Sequence, residues 1–174
     1  MWFADGDKQH QRGYPLVDPN PEADTVDIEF ALHDGVASRW AQTRGLATPS
    51  RRLCWHQFHA ARPASKGYVI VGDTASLPAI NSLLTASPRP GVPEAGHDDD
   101  KQLPVARSAN VVWVDRKNAG EALVQAVSES VFDASDHFGW VVCDNRTTRA
   151  VAKVFREEYS IPRKSIKAQA YWVA

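Results

Sequence analysis

The stretch Gly67-Tyr68-Val69-Ile70-Val71-Gly72-Asp73-Thr74-Ala75-Ser76-Leu77-Pro78-Ala79-Ile80 decides the fold class. Tyr68 to Val71 are four large apolar or aromatic residues in succession, bounded by Gly67 and Gly72. That pattern predicts a strand covered on both faces, as in a parallel sheet. A helix is expected to open at Thr74 or shortly after, with Pro78 inside its first turn, where a missing N–H costs nothing. Strand, glycine turn and helix N-terminus aim backbone N–H groups at one point, the way α/β folds hold anions.

The same alternation recurs downstream. Val111-Val112-Trp113-Val114 and Phe138-Gly139-Trp140-Val141-Val142 read as second and third buried strands, and Ile166 to Val173 as a closing one. Between them lie helices predicted over 120–131, with a Leu123, Val127, Val131 stripe, and over 146–159. The latter has Val151, Val154 and Phe155 inward, Arg149, Lys153 and Arg156 outward, and Asn145 or Thr147 as its cap. Strand, helix, strand in regular succession marks a parallel three-layer sheet, whose ligands sit beyond the carboxyl ends of its strands. Those ends are 72–76, 115–118 and 143–147. The Pro- and Gly-rich residues 87–96 read as a loop.

The front of the chain has a different period. From Thr25 to Leu32, Val26, Ile28, Phe30 and Leu32 alternate with polar residues, which predicts a half-buried antiparallel strand. Asp18-Pro19-Asn20-Pro21 reads as a turn, and 36–41 as a short helix turning Val36 and Trp40 inward. Residues 43–65 follow neither period and read as an irregular surface loop. Cys54, His56 and His59 there are zinc-type ligands with no fourth at a suitable spacing. His97-Asp98-Asp99-Asp100-Lys101 reads as a solvated acidic loop rather than a cation site.

With 174 residues, 43% hydrophobic and 24% charged, the chain is long enough for one domain or two small ones with real cores. A net charge of −1 gives no basic field over the whole chain, so no nucleic-acid partner is expected. Two distant cysteines, Cys54 and Cys143, read as reduced thiols, and residues 1–6 lack the features of a secretory leader.

Four stretches in this order resemble one family: Gln11-Arg12-Gly13-Tyr14; Asp27 to His33 with Ala37-Ser38-Arg39-Trp40; Gly72 to Ile80; and Ala170-Tyr171-Trp172. They look like the siderophore-interacting proteins, FAD-dependent ferric-siderophore reductases, and most like the siderophore-interaction domain of mycobacterial ABC importers of iron-loaded mycobactins. The resemblance implies α/β architecture with an antiparallel β front. A partial flavin-binding β-barrel over 1–65 would precede a small parallel, ferredoxin-reductase-like NAD(P)H-binding domain over 66–174. It implies FAD held by Arg12, Gly13, Tyr14 and Pro15, the last standing where most relatives have threonine. Glu29, Phe30, Ala31, Leu32 and His33 would line the flavin edge. The backbone of Val36, Ala37 and Ser38 would cap the pyrophosphate, and Thr74, Ser76, Tyr171 and Trp172 would lie by the ring. Cys143 and Asp144 replace the family's usual glycine and glutamate. Arg116 and Lys117 are candidates for a 2′-phosphate or plain surface charges, so the resemblance leaves NADH and NADPH both open.

The implied chemistry is a hydride from NAD(P)H to FAD and single electrons onward to ferric iron, with no catalytic side chain and no protein-bound metal. The implied partners are a ferric siderophore and an inner-membrane ABC importer, at the cytoplasmic face of that membrane. Relatives carry several strands ahead of the Arg-x-Tyr stretch, and a regular strand where 44–64 lose their pattern. The expectation is therefore a shortened, degraded or frame-shifted copy with an open barrel edge. A general NAD(P)H flavin reductase and an inactive remnant or docking module are the rival readings.

Overall fold

The computed structural model describes residues 1–30, 32, 34–43, 65–86, 91–96 and 98–173. The candidate zinc residues Cys54, His56 and His59, and His97 of the acidic run, lie outside these. The chain divides into two compact units, Met1–Phe58 and His59–Ala174. The sequence boundary after residue 65 falls a few residues beyond this division.

The first unit is an antiparallel front. Strands β1 (Trp2–Asp5) and β2 (Lys8–Gln11) pair across a turn at Gly6 and Asp7, where Gly6 takes φ +58°. A second pair, β3 (Val17–Asn20) and β4 (Thr25–Asp27), closes over an Asx turn in which Asn20 Oδ1 accepts from the N–H groups of Glu22 and Ala23. Helix α1 (Val36–Thr43) follows.

The predicted strand from Thr25 to Leu32 is real only over its first three residues. Its partner β3 ends its register at Val17 opposite Asp27, so among the described residues nothing continues the ladder, and Leu32 is 66% exposed. Residues 18–21 belong partly to β3, so the turn falls slightly later than expected.

The second unit is a five-stranded, wholly parallel sheet in the order β7-β6-β5-β8-β9. Its centre is β5 (Tyr68–Asp73), every residue of which is buried. Side chains alternate across it. Tyr68 and Ile70 pack with Trp140 and Val142 of β8 (Phe138–Val142) under α2 (Leu77–Ala86). Val69 and Val71 pack with Val141 and Cys143 under α3 (Glu121–Glu129) and α4 (Asn145–Glu157). Burying each such aliphatic side chain is worth about 1.5–3 kcal/mol. This two-sided core is why an uninterrupted apolar run, rather than an alternating one, marks the strand.

Four predictions for this unit need correction. Residues 87–96 are not wholly loop: β6 (Gly91–Ala95) lies directly beside β5, and Pro93 is accommodated where β6 is flanked on one side only, since β7 begins its pairing at Glu94. Of the second predicted strand only β7 (Val114–Asp115) forms, and Val112 is 61% exposed rather than buried. The closing strand is short, β9 (Ile166–Ala168). Single hydrogen bonds carry its pairing onward: Gln169 N–H to the Val141 carbonyl and Tyr171 N–H to the Cys143 carbonyl, both 3.0 Å, and a parallel bridge joins Asp144 to Trp172. Val131 lies beyond the end of α3 and is exposed, while Leu123 and Val127 are buried as expected.

Candidate functional site

In the first unit, two of the predicted flavin residues, Tyr14 and Phe30, lie in an aromatic cluster with Phe3 and Trp40. The Tyr14 ring lies 4.6 Å from Phe30 and 6.1 Å from Phe3; Trp40 of α1 is 5.3 Å from Phe3 and 6.1 Å from Phe30. Such tilted and edge-to-face pairs fix ring orientation. Burial pushes the Tyr14 phenol above its usual range, against the pull of the Arg12 charge. The Tyr14 hydroxyl therefore stays neutral at physiological pH.

Arg12 is fixed by its backbone, which exchanges hydrogen bonds with Met1 in both directions, N–H to O at 2.9 Å and Met1 N to Arg12 O at 2.7 Å. Its guanidinium is exposed and touches only the Gln11 carbonyl at 2.8 Å; among the described residues no carboxylate pairs with it. An aromatic ring beside an unpaired guanidinium is a donor set that suits a flavin with its pyrophosphate. Gly13 is exposed, Pro15 half-buried, Glu29 and Leu32 exposed and Phe30 half-buried; Ala31 and His33 lie outside the described residues. At the start of α1, Ala37 and Ser38 are buried and Val36 half-buried.

In the second unit, the carboxyl ends of β5 and β8 meet where the strand order reverses, the position α/β sheets use for ligands. Asp73 and Asp144 occupy those two ends, and both are buried. Asp73 caps the short 3-10 turn Thr74–Ser76 ahead of α2: its Oδ1 accepts from Ser76 N–H at 3.1 Å. The Ser76 hydroxyl in turn accepts from Asp73 N–H at 3.0 Å and donates to the Asp73 carbonyl at 2.8 Å. Gly72 is required there, because a Cβ would press into the Ser76 hydroxyl and come within 2.8 Å of Ile80.

Asp144, rather than the expected Asn145 or Thr147, caps α4. Its Oδ1 accepts from the N–H groups of Arg146 at 2.8 Å and Thr147 at 3.0 Å, and its Oδ2 from the Thr147 hydroxyl at 2.6 Å. Its extended backbone at ψ 166° is the ordinary N-cap conformation, which places the cap one residue before the helix proper.

Three side chains tie the two aspartates together. The Trp172 indole N–H donates to Asp73 Oδ2 at 2.8 Å, Arg116 lies 4.9 Å over the Trp172 ring, and the same guanidinium is 3.6 Å from Asp144 Oδ2. Tyr171 packs half-buried on the core beside Ile70 and Trp140. Of the sequence-predicted residues, Ser76 and Trp172 thus both contact Asp73, whereas Thr74 is half-buried and its carbonyl accepts from Leu77 N–H. Asp73 itself was named in the sequence only as part of a motif. Its signal was the Asp-x-x-Ser spacing of a capping box.

Burial raises the Asp73 carboxyl above its usual range despite hydrogen bonds from Trp172 and Ser76 and the charge of Arg116. Burial acts on Asp144 the same way, but donors from Thr147 and Arg146 together with Arg116 outweigh it and hold that carboxyl low. The linkage follows from the sign. Below the unfolded value near 3.9 an unfolded chain binds the proton that native Asp144 still refuses, so its contribution is full above about pH 4 and is lost as pH falls. Asp144→Ala is expected to cost about 0.5–2 kcal/mol at pH 7 through the lost cap. In urea titrations the gap from wild type should close below about pH 4. A gap that stays constant to pH 2 would show that the carboxylate charge plays no part.

These caps bear on how a dinucleotide could be held. The chain's own carboxylates already take the N–H group of Ser76 ahead of α2 and those of Arg146 and Thr147 at the start of α4. The first amides of α4 that a pyrophosphate would use are thus occupied, and two buried carboxylates stand at the switch point. Arg116, a candidate for a 2′-phosphate, is engaged by Asp144 and Trp172. Among the described residues no group of three His, Cys, Asp or Glu could hold a metal ion, and Asp98–Gln102 is a 3-10 turn in which Lys101 pairs with Asp98 and Asp115.

The architecture has close counterparts. The siderophore-interacting protein SipS from Aeromonas hydrophila superposes with a TM-score of 0.74 at 24% identity, over 93% of this chain and 67% of that one. The siderophore-interacting protein from Acinetobacter baumannii does so at 0.67 and 20%, over 97% and 72%. The fold is thus that of the siderophore-interacting proteins, ferredoxin-reductase-like, with antiparallel sheets ahead of a parallel α/β sheet.

The sequence carries the assignment further. The model of the siderophore-interacting protein family matches residues 65–174. The mycobactin import ATP-binding/permease proteins IrtA of Mycolicibacterium thermoresistibile and Mycobacterium tuberculosis are each 30% identical over 189 residues, covering 99% and 100% of this chain. The chain belongs to the siderophore-interacting protein family. It spans 20% and 22% of the length of those two relatives.

Proposed function

We propose that this chain reduces the iron of a ferric siderophore of the mycobactin type, using FAD and electrons from NAD(P)H, and so releases the metal. Family membership supports the substrate class, because the relatives that match nearly the whole chain are named for mycobactin import. The observation that carries the flavin is the exposed guanidinium of Arg12, unpaired with any carboxylate among the described residues, whose charge acts on Tyr14, a ring packed with Phe30 and Phe3.

Arg12 would pair with the pyrophosphate of FAD, with Gly13 leaving its approach open and Pro15 setting the bend after Tyr14. Tyr14 would stack on the ring system, Glu29 to His33 would line its edge, and the backbone at Val36, Ala37 and Ser38 would cap the phosphates. By family resemblance, Thr74, Ser76, Tyr171 and Trp172 are the second unit's candidates for contact with the flavin. The bound flavin would supply the redox chemistry, accepting a hydride and passing electrons singly, while the protein supplies position and exclusion of water. Hard oxygen ligands hold ferrous iron far less tightly than ferric, so reduction frees it.

A location at the cytoplasmic face of an importing membrane fits the relatives' setting; among the described residues no helix is long and apolar enough to cross a bilayer. Purified protein mixed with excess FAD and passed through a desalting column should emerge yellow, with one flavin per chain. A folded protein that emerges colourless would end this reading and leave the docking module.

A further inference from the structure

Helix α4 and the edge strand beside it carry a charge distribution that electron transfer does not require. Residues 145–170 hold seven cations, Arg146, Arg149, Lys153, Arg156, Arg163, Lys164 and Lys167, against two carboxylates, Glu157 and Glu158. That stretch is therefore five units positive, although the whole chain is at −1, so the remainder is six units negative. All seven cations are exposed. The two carboxylates neutralise little of this: Glu157 lies 3.7 Å from Lys153, and Glu158 accepts from Ser128 of α3. Among the described residues no carboxylate pairs with the other six.

The cations are also contiguous. Lys167 lies on β9, the outermost strand of the sheet, and Arg163 and Lys164 on the 3-10 turn leading into it. Between α4 and the segment around β9 runs a groove of about 380 Å³, lined by Asn145, Thr148, Arg149, Ala152, Arg156, Ala168 and Ala170. Its floor is small side chains, and its two arginines arise from one helix face, their backbone positions about 10 Å apart along the axis, seven residues at 1.5 Å each. A solvated helix face ordinarily mixes signs, and a single lysine suffices to protect an edge strand. Neither explains seven cations gathered on one side of a net acidic chain.

We propose that this face docks on a bilayer of anionic lipids, with α4 and β9 toward the headgroups and a lipid phosphate seated between Arg149 and Arg156. Breadth favours a surface over one small ligand, because cations spread across a helix, a turn and a strand edge each find their own headgroup. Aromatic rings are absent from the groove lining, and Phe155 and Tyr159, the rings of α4 and its end, are buried. The face thus lacks the stacking platform that single-stranded nucleic acid requires. The proposal does not rest on flavin or siderophore binding.

Flotation with vesicles tests it. The protein should rise with vesicles of equal parts phosphatidylcholine and phosphatidylglycerol, stay behind with phosphatidylcholine alone, and detach as salt approaches about 1 M. The triple substitution Arg149→Gln, Arg156→Gln, Lys167→Gln should weaken partitioning about a hundredfold, at roughly fivefold per charge. Exposed controls of equal charge change, Lys8→Gln, Arg107→Gln and Lys117→Gln, should lose less than about tenfold. Unchanged circular dichroism would exclude misfolding of the triple variant. No flotation, equal losses in both triples, or tighter capture by duplex DNA than by the vesicles would overturn the assignment. So would full displacement from the vesicles by millimolar glycerol phosphate at constant ionic strength, because a lone phosphate pocket would then account for the binding.

Discussion

Phe155→Ala is expected to lower the stability of the parallel unit by about 3–5 kcal/mol, the usual cost of emptying a closed aromatic site. Phe155 is fully buried at the centre of the core between the sheet and helices α3 and α4. Its ring fills the space left by a glycine in the neighbouring strand: a Cβ on Gly139 would stand 2.7 Å from Phe155 Cδ2 and 3.2 Å from Ile161 Cδ1. It also meets the Tyr159 ring edge-to-face at 5.8 Å, and that ring is anchored by a 2.7 Å hydrogen bond from its hydroxyl to the Val127 carbonyl. Few neighbours can move into the vacancy, because each is held by a second contact of its own. Chemical denaturation followed by circular dichroism reads the loss; a cost under about 1 kcal/mol would mean that the packing around Gly139 is loose.

Arg12→Ala is expected to weaken FAD binding by roughly 10- to 150-fold, the range set by losing one or two charge-assisted hydrogen bonds worth about 1.5–3 kcal/mol. The exposed side chain makes one hydrogen bond among the described residues, to the Gln11 carbonyl, so its loss should leave the fold intact. Melting temperature without flavin should therefore be unchanged. Arg12→Lys keeps the charge but not the fork, so it should recover only part of the affinity. Equal affinity in all three proteins would remove Arg12 from the flavin site.

Much of the parallel unit was legible because local and global signals agree there. Tyr68 to Val71 and Phe138 to Val142 are buried on both faces, and such strands announce themselves by composition alone. Strand β6 was not legible. Its Gly91 and Pro93 carry loop chemistry, and only the neighbouring β5 makes a strand of them. Val112 misled in the other direction: an apolar residue inside an apolar run ends up exposed because the sheet needs only Val114 and Asp115 at that edge. In the first unit, Trp2 to Gln11 carry a Gly6-Asp7 hairpin signal, weak because the strands on either side of it are mostly polar or exposed.

The candidate site divides the same way. Arg12, Tyr14 and Trp172 stood out as a cation and aromatics in a recognisable order. The network of Asp73, Arg116 and Asp144 did not, because it joins residues 71 apart in the chain that only the strand order brings together. Asp144 stands where the family usually has glutamate, and here its carboxylate caps α4 and pairs with Arg116. That commitment, with the matching one at Asp73, bears on donor choice. With Arg116 engaged by Asp144 and Trp172, NADH and NADPH should differ by less than about tenfold, or 1.4 kcal/mol.

The most direct test of the account is a coupled assay on FAD-loaded protein, with ferric mycobactin-type siderophore, NADH or NADPH as donor, and a chelator that colours only with ferrous iron. The account predicts ferrous complex formed in proportion to bound flavin, with both donors, and none from protein stripped of FAD. Donor oxidation without ferrous iron would leave a general flavin reductase, and no turnover by a fully flavin-loaded chain would contradict the proposed reduction outright.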